Sequence, residues 1–211
     1  MKNTLHFTIL LLLGSSFLSS CSPKSNSENN ETKTQEKEQV YTLTTDSTAL
    51  KWTAFKTTQR IGVSGSFDSI FIDAKNTTGT IPELLTNARI TINTTSVNSN
   101  NAIRDPKIVS FFFGAFSVPN EILGTIDSVV NDNIYIEITM NGIKKTVIAD
   151  YSIDTLLLDI NTVIHLPDWN AEGGLSALNK ECDDLHKGED GISKLWPEVA
   201  INITCPLKQV E

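Results

Sequence analysis

The sequence predicts an all-β domain with minor helix, an antiparallel barrel of about eight strands, closed or nearly so, with two short helices. Three observations carry this. From Val40 onward apolar residues recur with a period of two, the signature of half-buried strands. Asn141-Gly142, the strongest two-residue hairpin signal, joins two such runs. Helical spacing is confined to two short segments. A β-sandwich is the alternative that periodicity leaves open.

The chain begins with a segment read as an address. Lys2 opens a short positive region, Leu5 to Leu13 is apolar, and Gly14-Ser15-Ser16 interrupts it before Leu18-Ser19-Ser20-Cys21. The run is shorter than the roughly 20 apolar residues a spanning helix needs, and so predicts a secretory leader over 1–20. Leu18-Ser19-Ser20-Cys21 resembles the bacterial lipobox, whose cysteine thiol receives diacylglycerol, and Cys21 is accordingly the expected lipidation site and membrane anchor. Each buried methylene of such chains contributes about 0.8 kcal/mol, and several chains hold where one is marginal. By analogy with lipoprotein sorting, Ser22 after the cysteine directs an envelope protein to the outer membrane, with the periplasmic or surface face left open. Residues 21–39 carry the cysteine and a polar, mixed-charge stretch without aliphatic or aromatic side chains. Such a stretch cannot offset its ordering entropy by burial and reads as a tether of about 25 Å.

The domain follows over 40–211. Leu50, Trp52 and Ala54 alternate early, and Ile90 and Ile92 do so in Arg89 to Thr94. Ile134, Ile136, Ile138 and Met140 share one face of Asn133 to Met140, and Ile143 to Asp150 returns as its hairpin partner. Thr155 to Leu166 is a longer apolar run, and Val199, Ile201, Ile203 and Cys205 share a face near the end. The first helix is expected at Arg104-Asp105-Pro106, with Asp105 as N-cap and Pro106 at the first helical position. The second is expected over Asn170 to Lys187, with Leu175, Leu178, Cys182 and Leu185 on one stripe and Gly188 past its C-terminus.

Composition excludes several functions. With 17 Lys+Arg against 25 Asp+Glu the net charge is −8, the wrong balance for tracking nucleic-acid phosphates. Three cysteines are too few for a disulfide scaffold. No GxSxG elbow, glycine-rich phosphate loop or HExxH occurs, so no enzyme is predicted.

Four stretches, in order, resemble the YceI-like group of bacterial envelope proteins: Asp46 to Phe67 with its glycine-interrupted Ile61-Gly62-Val63-Ser64-Gly65; Thr95-Ser96-Val97 followed by Arg104-Asp105 and Phe111-Phe112-Phe113; the Ile138 to Lys145 hairpin; and Leu185-His186-Lys187-Gly188 to Trp196-Pro197-Glu198-Val199. The departures are Asn141 where the group commonly has His, and opening strands without its frequent His. The resemblance implies a lipocalin-like barrel that binds polyisoprenoid or other long-chain lipids non-covalently, with no resident cofactor beyond such a lipid. It leaves two rival functions: a structural or stress-response envelope domain with a packed lumen and no ligand, or a quinone-linked redox partner. A homodimer is also left open.

On this reading Trp52, Phe112, Phe113, Phe116, Ile136, Ile138, Trp169 and Trp196 are expected to line or cap the ligand site, with an indole N–H available to orient a head group. The phenylalanine run, including Phe111, serves equally as a lid over a filled lumen or as a plug for the barrel end. Cys182 and His186, four apart on one helix, have the spacing of a metal-binding or nucleophile–base pair, though no second pair completes a zinc site and Cys182 falls on the apolar stripe. His165 near Asp168 is a weaker candidate of the same kind. Cys182 and Cys205 are candidates for a disulfide after export, or for two free buried thiols.

Overall fold

The computed structural model describes residues 39–210; the leader, Cys21 and the tether through residue 38 lie outside the described residues. Twelve strands form one antiparallel sheet: β1 (Tyr41–Leu43), β2 (Ala49–Lys56), β3 (Ile61–Phe67), β4 (Ile70–Asp73), β5 (Thr78–Gly79), β6 (Arg89–Asn93), β7 (Val97–Asn98), β8 (Glu121–Val130), β9 (Asn133–Met140), β10 (Ile143–Asp154), β11 (Leu157–His165) and β12 (Leu195–Gln209). The hydrogen-bonded order is β4-β6-β8-β9-β10-β11-β12-β2-β3-β7, with β1 and β5 added beside β12.

The two ends of this order meet. β3 runs into β4 after a two-residue turn, and β6 into β7 through the 3-10 turn Thr94–Ser96, so each pair is one bent stave. The bent staves pair with each other at Phe67↔Val97 and Ile70↔Ile92, with Asp68 N donating to Ser96 O between (2.8 Å). Counted this way the wall has eight staves, a barrel and not a sandwich. An eight-stranded barrel leaves an interior that side chains fill or that takes one small ligand.

Alternation decides which side chains enter that interior. Ile134, Ile136 and Met140 of β9 are buried, as are Leu50 and Trp52 of β2 and Leu158, Ile160 and Ile164 of β11. One end is sealed by α1 (Ile81–Leu85), whose Leu84 and Leu85 pack with Tyr41, Leu43, Ile134, Leu158 and Leu207. Thr80 and Glu83 form the capping box that starts α1.

The other end is covered by helical segments. α2 (Arg104–Lys107) continues into a wider turn over Ile108–Phe112 and a 3-10 turn over Phe113–Ala115. The helix begins one residue before the expected cap: Asn101 Oδ1 accepts from the N–H groups of Ile103 (3.1 Å) and Arg104 (3.0 Å), while Asp105 turns back to accept from Ser99 N (2.9 Å). α3 (Glu172–Glu181) lies against this segment. The expected long helix breaks at Cys182 and resumes as α4 (Asp183–His186). The break rotates the apolar stripe, leaving Leu185 61% exposed and burying His186 in its place.

Candidate functional site

Two glycines in the staves let large side chains into the lumen. Gly65 faces Trp52 across the β2–β3 ladder, and a Cβ there would lie 2.3 Å from Trp52 Cζ2. Gly124 of β8 makes the same allowance for Ile90, whose Cγ2 would stand 2.6 Å away. Within the walls so built lies a cavity of about 190 Å³. It is lined by Leu50, Trp52 and Ala54 of β2, Ile136, Ile138 and Met140 of β9, and Ile160, Thr162 and Ile164 of β11. Val199, Ile201 and Ile203 of β12 and Ile90 and Ile92 of β6 complete the wall. Among the described residues that line it, Thr162 alone carries a hydroxyl. Such a surface offers contact area and dispersion and almost no directed polar recognition.

At the covered end the lining comes from Ile108, Phe112, Phe113, Leu175, Leu178, Leu195 and Trp196. Phe112, Phe113 and Phe116 stack edge to face, with centroids 4.9 to 5.5 Å apart, and are buried. Gly174 lets α3 sit directly on them, because a Cβ there would lie 2.5 Å from Phe112 O. Phe111 turns outward. The cluster therefore both closes the barrel end and forms the cavity roof. Leu175, Leu178, Leu195 and Trp196 are only partly buried. The wall beside them is thin: Ile61 to Gly65 of β3 have β2 as their strand partner, and β7 reaches only Ser66 and Phe67.

Six of the eight expected site residues line this cavity: Trp52, Phe112, Phe113, Ile136, Ile138 and Trp196. Two do not. Phe116 packs behind the other two rings, and Trp169 is fully buried outside the lumen. The expectation that an indole N–H orients a head group is corrected, since each is committed to the backbone. Trp52 Nε1 donates to Ser66 O (3.0 Å), Trp169 Nε1 to Ile138 O (3.1 Å) and Trp196 Nε1 to Thr57 O (2.8 Å). Trp196 is a rim residue, with Lys194 Nζ 3.5 Å and the Arg60 guanidinium 4.9 Å from its ring centroid.

Asn141, the residue at which the sequence departs from the resembled pattern, ties three loops at the covered end. Its Oδ1 accepts from Ser117 N (2.7 Å) and Val118 N (3.4 Å), and its Nδ2 donates to Trp169 O (3.0 Å) and Asn170 O (3.3 Å). It also takes φ 52°, the left-handed conformation the hairpin requires.

Among the described residues the cysteines and histidines do not assemble a reactive site. Cys182 and Cys205 are both free and buried, so the disulfide candidate is corrected. Cys182 sits beside α4, whose His186 O accepts from Lys194 N at the start of β12. Cys205 lies eleven residues farther along the chain from Lys194, a separation of about 30 Å or more at strand rise, and packs in the sealed end with Leu158 and Leu207. There Thr48 Oγ1 donates to its sulfur (3.0 Å), and burial pushes the thiol up. His186 Nδ1 lies 3.0 Å from Asn179 Oδ1 and makes no hydrogen bond to Cys182 Sγ. Burial, helped by the Lys56 ammonium and opposed by Asp183, lowers the imidazole to about 4, so it stays neutral and structural at pH 7. His165 pairs loosely with Asp168 (3.6 Å), both half-exposed. Among the described residues no group of three or more His, Cys, Asp or Glu side chains is placed to hold a metal ion.

Several wall residues were not legible as such in the sequence. β8 carries Ile122, Gly124 and Ile126, but a glycine at an inward position and a bulge between Ile126 and Ser128 break its alternation.

Fold and cavity define the class: an antiparallel barrel around an apolar lumen. The chain belongs to the YceI-like domain family, whose family model matches residues 41–205. Two solved structures share the fold. A polyisoprenoid binding domain from Saccharophagus degradans is 13% identical, with a TM-score of 0.56 over 81% of this chain and 98% of that one. BcnA from Burkholderia cenocepacia is also 13% identical, with a TM-score of 0.53 over 79% and 99%. No curated protein shows a significant sequence match to this chain.

Proposed function

We propose that this domain binds the apolar chain of a lipid, a polyisoprenoid or fatty chain, non-covalently in the lumen, and that lipidated Cys21 anchors it in a bacterial envelope, at the outer membrane. The observation that carries the reading is the cavity: about 190 Å³ with almost wholly apolar walls, in a barrel that side chains of ordinary size would otherwise fill. Apolar cavities of about 150 Å³ stay dry and take a benzene ring. This one is larger, which speaks against a packed structural lumen. The polyisoprenoid binding domain that shares the fold supports the choice of ligand class. Among the described residues the walls offer one hydroxyl, Thr162, which is committed to Ile148 O, and this favours recognition of chain length and girth over head-group chemistry. The domain acts as a binder on this reading: among the described residues no nucleophile–base pair lines the lumen, and His186 Nδ1 is turned to Asn179. The anchor reading rests on Leu18-Ser19-Ser20-Cys21, and the polar tether would let the domain reach the bilayer in which its ligand resides.

The test uses the full-length chain carrying Cys21→Ser, purified without detergent and incubated with farnesol, geranylgeraniol or palmitate before native mass spectrometry. A one-to-one complex with at least one of the three is expected. Absence of any adduct overturns the binding reading. The unaltered protein, purified from envelopes, should carry the mass of a diacylglyceryl group that Cys21→Ser lacks; an unmodified Cys21 overturns the anchor.

A further inference from the structure

The cavity is small for the chains proposed above. Scaled from the 150 Å³ that take a six-carbon ring, about 190 Å³ takes roughly eight carbons. A longer chain must leave the lumen, and the wall between β10 and β11 is interrupted. The β10–β11 ladder ends at Asp150↔Asn161. From Ile143 to Ala149 β10 is paired with β9 alone, and from Thr162 to His165 β11 is paired with β12 alone. Beyond this stretch the 3-10 turn Leu166–Trp169 packs against β10 again. The result is a slit, closed below by the ladder and above by the turn. One side chain bridges it: Thr162 Oγ1 donates to Ile148 O at 2.8 Å.

On the outer face the slit opens into a groove of about 370 Å³ across β10, β11, β12 and β2. Thr162 and Ile201 line both this groove and the inner cavity, so the two spaces share one thin wall. Ile148 and Val163, 55% and 60% exposed, form with Ala200 an apolar strip in this groove, and Lys51, Thr53, Asp150, Asn161 and Asn202 make most of its remaining lining polar. Apolar side chains this exposed beside a break in the ladder leave carbon surface that a chain can cover.

We propose that the slit is a side portal and the outer groove a second subsite, in which the part of a long single-chain lipid that the lumen cannot hold lies across Ile148, Val163 and Ala200. This rests on the lipid-binding reading above. Passage requires Thr162 to rotate and give up its hydrogen bond and the two strand edges to part, but it breaks no β10–β11 ladder pair. The portal makes affinity depend on chain length in two steps, the first as the lumen fills and the second as the groove is covered.

The test again uses the full-length Cys21→Ser chain, with Val163→Cys labelled by bimane; Cys182 and Cys205 are buried and stay unlabelled in the native protein. Palmitate should shift the bimane emission to the blue, whereas octanoate, bound one-to-one by native mass spectrometry, should leave it unchanged. A bimane at Phe71→Cys, on the outer face of β4, should respond to neither. Ala200→Trp, which fills the groove from a surface position, should weaken palmitate by about tenfold or more and leave octanoate within about twofold. Palmitate bound with the Val163 label unmoved and Ala200→Trp neutral overturns the portal and leaves the lumen reading intact. If neither acid binds, the lumen reading falls and takes the portal with it.

Discussion

Gly65→Ala tests whether Trp52 is wedged into the lumen by the strand beside it. The added Cβ would stand 2.3 Å from Trp52 Cζ2, and 2.7 Å from both Trp52 Cε2 and Asn98 O. Carbon atoms rest about 3.5–4.0 Å apart, so the indole must retreat by more than about 1 Å. Asn98 O belongs to β7 and cannot retreat without loosening the Ser66↔Asn98 pairing that closes the barrel. Overpacking of this kind costs about 1–3 kcal/mol. Moving the ring also endangers the 3.0 Å bond from Trp52 Nε1 to Ser66 O, worth about 1 kcal/mol. The lower entropy of the unfolded chain returns about 0.5 kcal/mol. A net destabilisation of about 2–3 kcal/mol is expected, read as the urea midpoint multiplied by an unchanged slope. The indole has only the cavity to move into, so palmitate affinity should fall together with stability. A double-mutant cycle isolates the indole's share: in a Trp52→Leu background Gly65→Ala should cost at least about 1 kcal/mol less than in the parent, with the Asn98 O contact accounting for what remains. Full cost in both backgrounds, or none in either, refutes the wedge.

Two further predictions concern polar side chains at the covered end. His186, lowered to about 4 by burial and by Lys56, is neutral when folded, whereas in the unfolded chain it protonates near 6.5. Between these values the unfolded state binds more protons, so its contribution to stability is complete above about pH 6.5 and is lost as pH falls toward 4. From pH 7 to pH 5 the loss is about 2 kcal/mol, and urea titrations of His186→Gln should show that much less pH dependence than the parent; equal slopes of stability against pH would refute it. Asn141→Ala removes the side chain that bonds Ser117, Val118, Trp169 and Asn170, and should cost about 2–4 kcal/mol. Asn141→Gly relieves the positive φ but not the lost bonds, so thermal melts should find it nearly as unstable; full recovery by glycine would show that only the turn conformation matters.

Much of this barrel is legible from one-dimensional pattern because strand periodicity is local physics. Asn133–Met140 and its hairpin partner alternate cleanly, and Asn141-Gly142 supplies the positive φ the turn needs, so these strands follow from residues within a few positions of each other. β8 does not, because Gly124 answers to Ile90 on another stave, and its bulge answers to the partner register with β9. α3 and α4 read as one helix because helical spacing continues through Cys182. The backbone breaks there, and the short α4 beyond it ends where Lys194 N and Lys56 Nζ take the His186 and Leu185 carbonyls from segments distant in sequence.

By itself the sequence determined the period-two staves, the tight hairpin, the two helical segments and apolar side chains gathered on strand faces with no catalytic motif. Tertiary structure alone decided which of those side chains face empty space. Trp52 lines the lumen and Trp169 lies fully buried outside it, though both are tryptophans in apolar settings, because one is aimed by a strand and the other is held behind the wall by Ile138 O and Asn141. The slit between β10 and β11 is likewise invisible to pattern. Alternation sets the face a residue presents, while the pairing of each edge depends on the course of a strand far away in sequence.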